Sequence, residues 1–311
     1  MPQLEGERMQ CMEVWSGSQL TAQGVAFGGL DVWVTSRPHG GAHEGGDVYY
    51  ASSCATGRIS RLLLADVAGH GDSVAGTATG LRTLMRQFVN RLDQTEFVRL
   101  LNQRFGTLPA QGAYATAVVS TYFAPSRRFS VCNAGHPRPL WFRAKDQTWE
   151  FLGHEGVSER PGPSNIPLGL FSMSDYDQFD VELMAGDCVV KYSDALIECC
   201  DATGEMLGES GVLRIVRELA EADPQRLSER LLHEIEEHYP NSLSDDDVTV
   251  MVVRASGKEA EVNWWNRVKA GAILLITIGK GGTIPWPEWS VATVGGFFIP
   301  ALGRRKRVKG S

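Results

Sequence analysis

The sequence lacks several features that would place it in other protein classes. It has no run of ~18–20 apolar residues, the length that a membrane-spanning helix needs, and its first residues contain no apolar signal-peptide core. Its six cysteines form no C-x-x-C pair, which argues against a zinc ribbon, and no G-x-x-x-x-G-K-[ST] phosphate loop occurs. These absences, with a cysteine usage that fits a reducing compartment, predict a cytoplasmic protein.

Basic residues are scarce except near the C-terminus. The 311 residues carry a net charge of −7, which argues against nucleic acid as a general partner. Residues 258–311 hold nine Lys/Arg and three Glu, a net of +6, so the first 257 residues carry −13. This basic extension also contains four of the eight tryptophans. Two interpretations stay open: a peripheral membrane contact at the interface, or a segment that packs on the body.

Hydrophobic periodicity divides the chain into three parts: an irregular N-terminal segment (1–28), one large domain (29–256) and the basic extension (257–311). Apolar runs predict strands at 30–34, 48–54, 58–67, 114–123, 128–133, 140–144, 179–183, 188–192 and 248–253. Helical spacing predicts helices at 73–91, 94–107, 211–220 and 227–239. Many strands with helices in pairs favour an α+β fold with packed sheets and helices outside.

Carboxylates recur where a predicted strand begins or ends. Asp66 follows the apolar run Leu62–Leu64 and precedes a glycine-rich turn, and the same placement holds for Asp47, Asp194 and the pair Asp246 and Asp247. Strands meeting at one end of a sheet could gather these side chains into a site for Mg²⁺ or Mn²⁺, which prefer oxygen ligands. For any single aspartate, a turn or cap role is an equally simple explanation.

Taken together, the motifs resemble the SpoIIE/RsbU-type bacterial branch of the metal-dependent (PPM, type 2C) protein serine/threonine phosphatases. They occur in the order of that family and span about residues 30–255. The five stretches that carry the resemblance are Gly45–Asp47, Ala65–Gly71, Asn133–Pro137, Tyr192–Asp194 and Asp246–Thr249.

The resemblance implies an αββα sandwich of two antiparallel sheets with two divalent cations, Mn²⁺ or Mg²⁺, at one end. Asp66 would bridge the cations and, with Asp194, form the catalytic centre. The Val67 carbonyl, Asp47 and Asp246 would complete the protein ligands; Asp247 is a further candidate.

The implied reaction is hydrolysis of phosphoserine or phosphothreonine by a water molecule, without a covalent phospho-enzyme. The expected substrate is a phosphorylated anti-anti-sigma (STAS) type protein in a partner-switching pathway, and a homodimer is a further expected assembly. His70 is either a general acid or a turn residue. Ala195 replaces the usual glycine of the family and raises the alternative of a non-catalytic phosphoprotein-binding module.

The basic extension yields a direct test of the membrane interpretation. We expect the full-length chain to sediment with anionic liposomes at 0.1 M salt or below and to be released near 1 M, where the screening length shrinks from ~10 Å to ~3 Å. A chain ending at Ser256 should stay in the supernatant, and neutral liposomes serve as the control. Full-length protein that remains in the supernatant at low salt would leave packing on the body as the interpretation.

Overall fold

The computed structural model describes residues 15–257, apart from residues 55–56, 70–73, 92, 109–111, 154–163, 222 and 241. Within these residues, strands form two six-stranded sheets in which all paired neighbours run antiparallel. The first sheet has the order β1 (Trp15–Gly17), β4 (Asp47–Ser53), β5 (Ile59–Val67), β6 (Ala115–Phe123), β7 (Arg128–Ala134) and β10 (Phe179–Glu182). The second has the order β2 (Thr21–Phe27), β3 (Leu30–Arg37), β12 (Val248–Ala255), β11 (Cys188–Tyr192), β8 (Leu140–Arg143) and β9 (Thr148–Phe151).

A pair of helices covers the outer face of each sheet. The helices α1 (Ala75–Phe88) and α2 (Gln94–Phe105) pack on the first sheet, whereas α3 (Gly208–Leu219) and α4 (Pro224–His238) pack on the second. Buried apolar side chains fill one layer between the sheets and one layer under each helix pair. The α+β class and the αββα sandwich predicted from the sequence are confirmed.

Alternation along the central strands builds the layer between the sheets. On β5, Leu62 and Leu64 point into this inner layer, whereas Leu63 and Ala65 point towards α1 and α2. All four side chains are fully buried. Because both faces of the strand are covered, its sequence is a continuous apolar run rather than an alternating pattern.

Local capping explains where two of the helices begin. Asp93 accepts a hydrogen bond from the amide of Glu96 at the start of α2, and Asp223 does the same for Arg226 at the start of α4. Pro224 occupies the first turn of α4, where its missing N–H costs no helical hydrogen bond. The predicted start at residue 227 was therefore three residues late, since the apolar spacing begins only after the cap.

The N-terminal segment requires a correction. Residues 1–14 lie outside the described residues, but residues 15–28, predicted to be irregular, contain β1 and β2. These strands form one edge of each sheet, β1 beside β4 and β2 beside β3. An edge strand that is only partly buried carries a weak periodic signal, which is why the sequence did not reveal it. The strand β9 at the opposite edge of the second sheet was missed for the same reason.

At the other end of the chain, residues 258–311 of the basic extension lie outside the described residues. In the part of the chain that is described, no helix combines the length and the apolar character needed to cross a bilayer.

Arg61 ties the first helix pair to the sheet. Its side chain is buried at 3% exposure, and its guanidinium donates to the Val89 and Arg91 carbonyls just after α1, at 2.9 and 2.8 Å. It also lies over the Phe97 ring of α2, 4.4 Å from the centroid. One buried cation therefore satisfies carbonyls at the end of α1 and contacts α2 at the same time.

We expect Arg61→Met to destabilise the protein by roughly 2–4 kcal/mol, because two buried carbonyls would lose their hydrogen bonds and the contact with Phe97 would weaken. Urea unfolding followed by circular dichroism measures the change. The matched control is Arg128→Met, whose side chain is 58% exposed. Equal stability of the two variants would show that Arg61 does not hold the helix pair.

Candidate metal centre

Strand register brings Asp47, Asp66 and Thr116 into one row. Asp47 pairs with Asp66 across β4 and β5, and Asp66 pairs with Thr116 across β5 and β6. Side chains two residues apart share a strand face, so Asp66 points the same way as Leu64, into the layer between the sheets. The row closes one end of this inner layer with polar groups.

The second sheet contributes Asp194 and Asp246 to the same end. Asp194 begins a short 3-10 helix directly after β11, and Asp246 lies two residues before β12. The amide of Ser193 donates to the Thr249 carbonyl at 2.9 Å, which holds the ends of these two strands together. A cleft of about 210 Å³ results, and it is lined by Asp66, Ala68, Gly69, Tyr114, Thr116, Asp194 and Asp246.

The electrostatics of the cleft favour a cation. Burial raises the pKa of Asp66 to about 8, and the charges of Asp194 and Asp246 raise it further towards that value. The pKa of Asp194 is also raised, first by burial and then by Asp246. Carboxylates that repel one another in a partly dry site are stabilised by a bound metal ion, since its charge offsets the repulsion.

Asp47 provides the sharpest test of whether a metal fits. Its side chain is 1% exposed, and no described residue donates a hydrogen bond of normal geometry to either carboxylate oxygen. Burial and the neighbouring Asp66 raise the pKa of Asp47 well above its usual range, and the hydroxyls of Thr249 and Ser193 lower it only in part. A buried carboxylate with two unsatisfied oxygens is explained by a ligand, and hard oxygen donors suit Mg²⁺ or Mn²⁺.

The four aspartates do not form a compact cage around one point. Within the described ranges, the only three side chains whose ligand atoms all lie within 4.8 Å of one another are Glu234, Glu237 and His238, on the exposed side of α4. The predicted ligands are instead distributed around the cleft and its floor.

Gly46 lets the Val67 carbonyl approach the candidate site. A Cβ on Gly46 would lie 2.8 Å from the Val67 carbonyl oxygen and 2.9 Å from that of Gly69, so only glycine fits here. The Val67 carbonyl therefore lies next to the residue that precedes Asp47. His70, the candidate acid of the sequence analysis, lies outside the described residues.

Asp247 has a different task from its neighbour Asp246. Its carboxylate accepts hydrogen bonds from the backbone amides of His39 and Gly46, at 2.6 and 2.7 Å, and it is 2% exposed. A Cβ on Gly45 would come within 2.3 Å of this carboxylate. Asp247 thus fixes the turn that carries Asp47, which is a positioning role.

The Asn133–Pro137 turn supports the cleft from one side. Asn133 accepts a hydrogen bond from the His136 amide at 2.7 Å and donates to its carbonyl at 2.8 Å. The Nδ1 atom of His136 lies 2.8 Å from the Thr116 hydroxyl, and burial, followed by the charge of Lys191, lowers the pKa of His136 to about 3. A neutral, buried imidazole therefore orients the Thr116 hydroxyl, as expected of a structural turn near the site.

Sequence reasoning missed Tyr114, Thr116 and Lys191. Thr116 could have been found from its register opposite Asp66, but that pairing joins residues 50 positions apart. Lys191 is buried in the inner layer, where its ammonium donates to the Ser120 hydroxyl at 2.6 Å and burial lowers its pKa to about 7. Neither residue belongs to a motif that a sequence alone would single out.

Ala195 introduces no backbone strain. It lies within the 3-10 helix Asp194–Leu196 and does not appear among the described residues with positive φ. Glycine is needed only where φ is positive, so the departure from the usual family sequence leaves the geometry around Asp194 undisturbed.

Comparisons with known proteins agree with this architecture. The family model for stage II sporulation protein E (SpoIIE) matches residues 57–256. The chain is 23% identical over 194 residues to phosphoserine phosphatase RsbU of Bacillus subtilis (strain 168). That match covers 62% of this chain and 55% of RsbU, so the chain spans about half the length of this curated relative.

Two solved structures show the same fold. The RsbU and RsbW domains of a Mycobacterium tuberculosis protein superpose with a TM-score of 0.63 at 24% identity, covering 84% of this chain and 72% of that chain. The PP2C phosphatase domain of Bacillus subtilis SpoIIE, with a fragment of its regulatory domain, gives a TM-score of 0.61 at 18% identity and covers 72% and 63%. At these identities the likeness establishes the architecture alone.

The raised pKa of Asp66 predicts how stability depends on pH without metal. The folded state holds the proton up to about pH 8, whereas the unfolded chain releases it near pH 4. In EDTA, the contribution of Asp66 to stability is therefore fully present below about pH 4 and is lost as pH rises to 8, by about 2–4 kcal/mol.

Urea unfolding at several pH values measures this slope. Asp66→Asn should flatten it, whereas Asp180→Asn, which removes a partly exposed carboxylate on β10, should keep the wild-type slope. An identical slope in wild type and Asp66→Asn would refute the crowded-carboxylate interpretation.

Proposed function

The chain belongs to the SpoIIE family, and on that premise we propose that it is a metal-dependent phosphatase that hydrolyses phosphoserine or phosphothreonine in another protein. The observation that carries this proposal is the buried, unsatisfied carboxylate of Asp47 beside the raised-pKa carboxylate of Asp66. Such an arrangement is costly to fold unless it holds metal.

The proposed ligands are Asp47, Asp66, Asp194, Asp246 and the Val67 carbonyl, holding two Mn²⁺ or Mg²⁺ ions with Asp66 between them. When bound, such ions supply Lewis acidity, which lowers the pKa of water and neutralises phosphoryl charge. The protein holds its carboxylates at the ends of β4, β5, β11 and β12, and Asp247 and His136 fix their surroundings. Strand ends are rigid, so the ligand positions are set before a substrate arrives.

The chemistry does not require a cysteine nucleophile. Burial raises the pKa of Cys132 and Cys188 to about 12 and that of Cys199 to about 11, so these thiols stay protonated near neutral pH. No cysteine is among the described residues that line the cleft. This supports direct attack by water on phosphorus rather than a covalent intermediate.

A phosphorylated STAS-type protein in a partner-switching pathway is the substrate we propose. The support is the motif resemblance and the relationship to RsbU, which is itself named a phosphoserine phosphatase. The cleft of about 210 Å³ has room for a phosphorylated side chain but not for a folded domain. The rest of the substrate would therefore remain on the surface around the opening.

The alternative of a non-catalytic binding module has less support. Its motivation was Ala195, and the helical conformation there removes the expected strain. The acid set around the cleft is complete.

Substitution of the ligands tests the proposal. With Mn²⁺, Asp66→Asn should lose metal binding and activity together, by more than the ~10–100-fold that loss of an outer-shell partner costs. Asp194→Asn and Asp246→Asn should lose activity but regain part of it at high Mn²⁺, because other oxygen ligands remain. The readouts are phosphate release and calorimetric Mn²⁺ binding.

The matched control is Cys200→Ser, an exposed substitution that should leave both readouts at wild-type values. EDTA should abolish phosphate release, and Mn²⁺ should restore it. Full activity of the wild type in EDTA, or of Asp66→Asn in Mn²⁺, would refute the two-metal proposal. Wild-type protein that binds Mn²⁺ and releases no phosphate from any phosphoprotein would favour the binding module.

A further inference from the structure

Exposed apolar side chains concentrate beside the cleft. Among the described residues, seven large apolar or aromatic side chains are exposed, and four of them lie on two adjoining segments. We call these four the apolar rim: Tyr114 (41% exposed), Leu170 (47%), Phe171 (58%) and Met173 (86%). Isolated exposed apolar residues are ordinary, but a cluster of this kind marks an interaction surface.

The loop that carries the rim is held firmly by a buried amide. The side chain of Asn102 on α2 is fully buried; it donates to the Phe171 carbonyl at 2.7 Å and accepts from the Gly169 amide at 2.8 Å. An ion pair between Arg99 and Asp175, at 2.9 Å, fastens the far end of the loop. Since the backbone is fixed at both ends, its apolar side chains stay directed to solvent rather than folding inward.

The rim is continuous with the cleft. Backbone hydrogen bonds of 2.9 and 2.7 Å join Ala115 to Leu168, and the neighbours of Ala115, Tyr114 and Thr116, both line the cleft. Phe171 is three residues from Leu168, a chain length of at most about 11 Å. The apolar side chains therefore lie at the edge of the opening through which a phosphorylated residue must pass.

We propose that the apolar rim is the docking surface for the folded phosphoprotein substrate, which would place an apolar patch next to its phosphorylated residue on Phe171 and Met173. This inference rests on the proposed function and specifies how that site selects its partner. The occupant follows from the geometry, because a domain too large for the cleft must lie on the residues around its opening. Aromatic residues and methionine are enriched in such interfaces.

The test compares a small substrate with a protein substrate. Phosphate release in Mn²⁺ is measured for p-nitrophenyl phosphate and for a panel of phosphorylated STAS-domain proteins. In the double variant Phe171→Ser, Met173→Ser, we expect the ratio of kcat/KM for the protein to that for p-nitrophenyl phosphate to fall about tenfold, mainly through KM. The matched control is Met184→Ser, whose side chain is 46% exposed but does not belong to the rim; its ratio should equal the wild-type ratio.

Each contrary result has its own meaning. A wild-type ratio in the double variant would overturn the docking proposal and leave the proposed function standing. Wild-type protein that releases no phosphate from any probe would overturn the proposed function itself. Wild-type turnover of p-nitrophenyl phosphate but of no STAS-domain protein would show that the occupant is wrong. If sedimentation shows a wild-type dimer that the double variant dissociates, the rim belongs to a second copy of this chain.

Discussion

Carboxylates of like charge are held together at one end of the layer between the two sheets, where burial raises the pKa of Asp47, Asp66 and Asp194. Flexible segments would separate these groups and let water reach them. The αββα sandwich prevents this, because each carboxylate is placed at or next to the end of a strand that is paired on both sides. The repulsion is thereby stored in a rigid frame, which is the condition for strong and specific binding of a divalent cation.

Polar contacts behind the cleft keep that frame in place. Asp247 holds the turn before Asp47 through two backbone amides, and the neutral His136 orients the Thr116 hydroxyl. On the outer face, Arg61 joins the end of α1 to α2 and β5. None of these three residues lines the cleft, yet each fixes an element that does or that packs directly behind it. Such supporting contacts determine how precisely the ligands are placed.

Chemistry and partner recognition are assigned to different surfaces. The cleft contains charged and hydroxyl groups and admits a single side chain, whereas the adjoining rim is apolar and faces solvent. Asn102 connects the two regions, because it anchors the rim loop from within the helix layer that covers the first sheet. A small opening beside an apolar ledge allows selection to depend on the fold of the phosphoprotein as well as on its phosphorylated residue.

The sequence by itself determined the order of the motifs, the central strands, the four helices and the fold class, because these depend on local periodicity and on residue types that suit hard cations. It also indicated Asp47, Asp66, Asp194 and Asp246 as candidates. Only the tertiary structure decided that β1, β2 and β9 complete the sheets, that Thr116 lies opposite Asp66, that Asp247 binds backbone amides and that the rim adjoins the cleft. Edge strands bury too little surface to leave a pattern, and register joins residues far apart in the chain, so neither can be read from neighbouring residues.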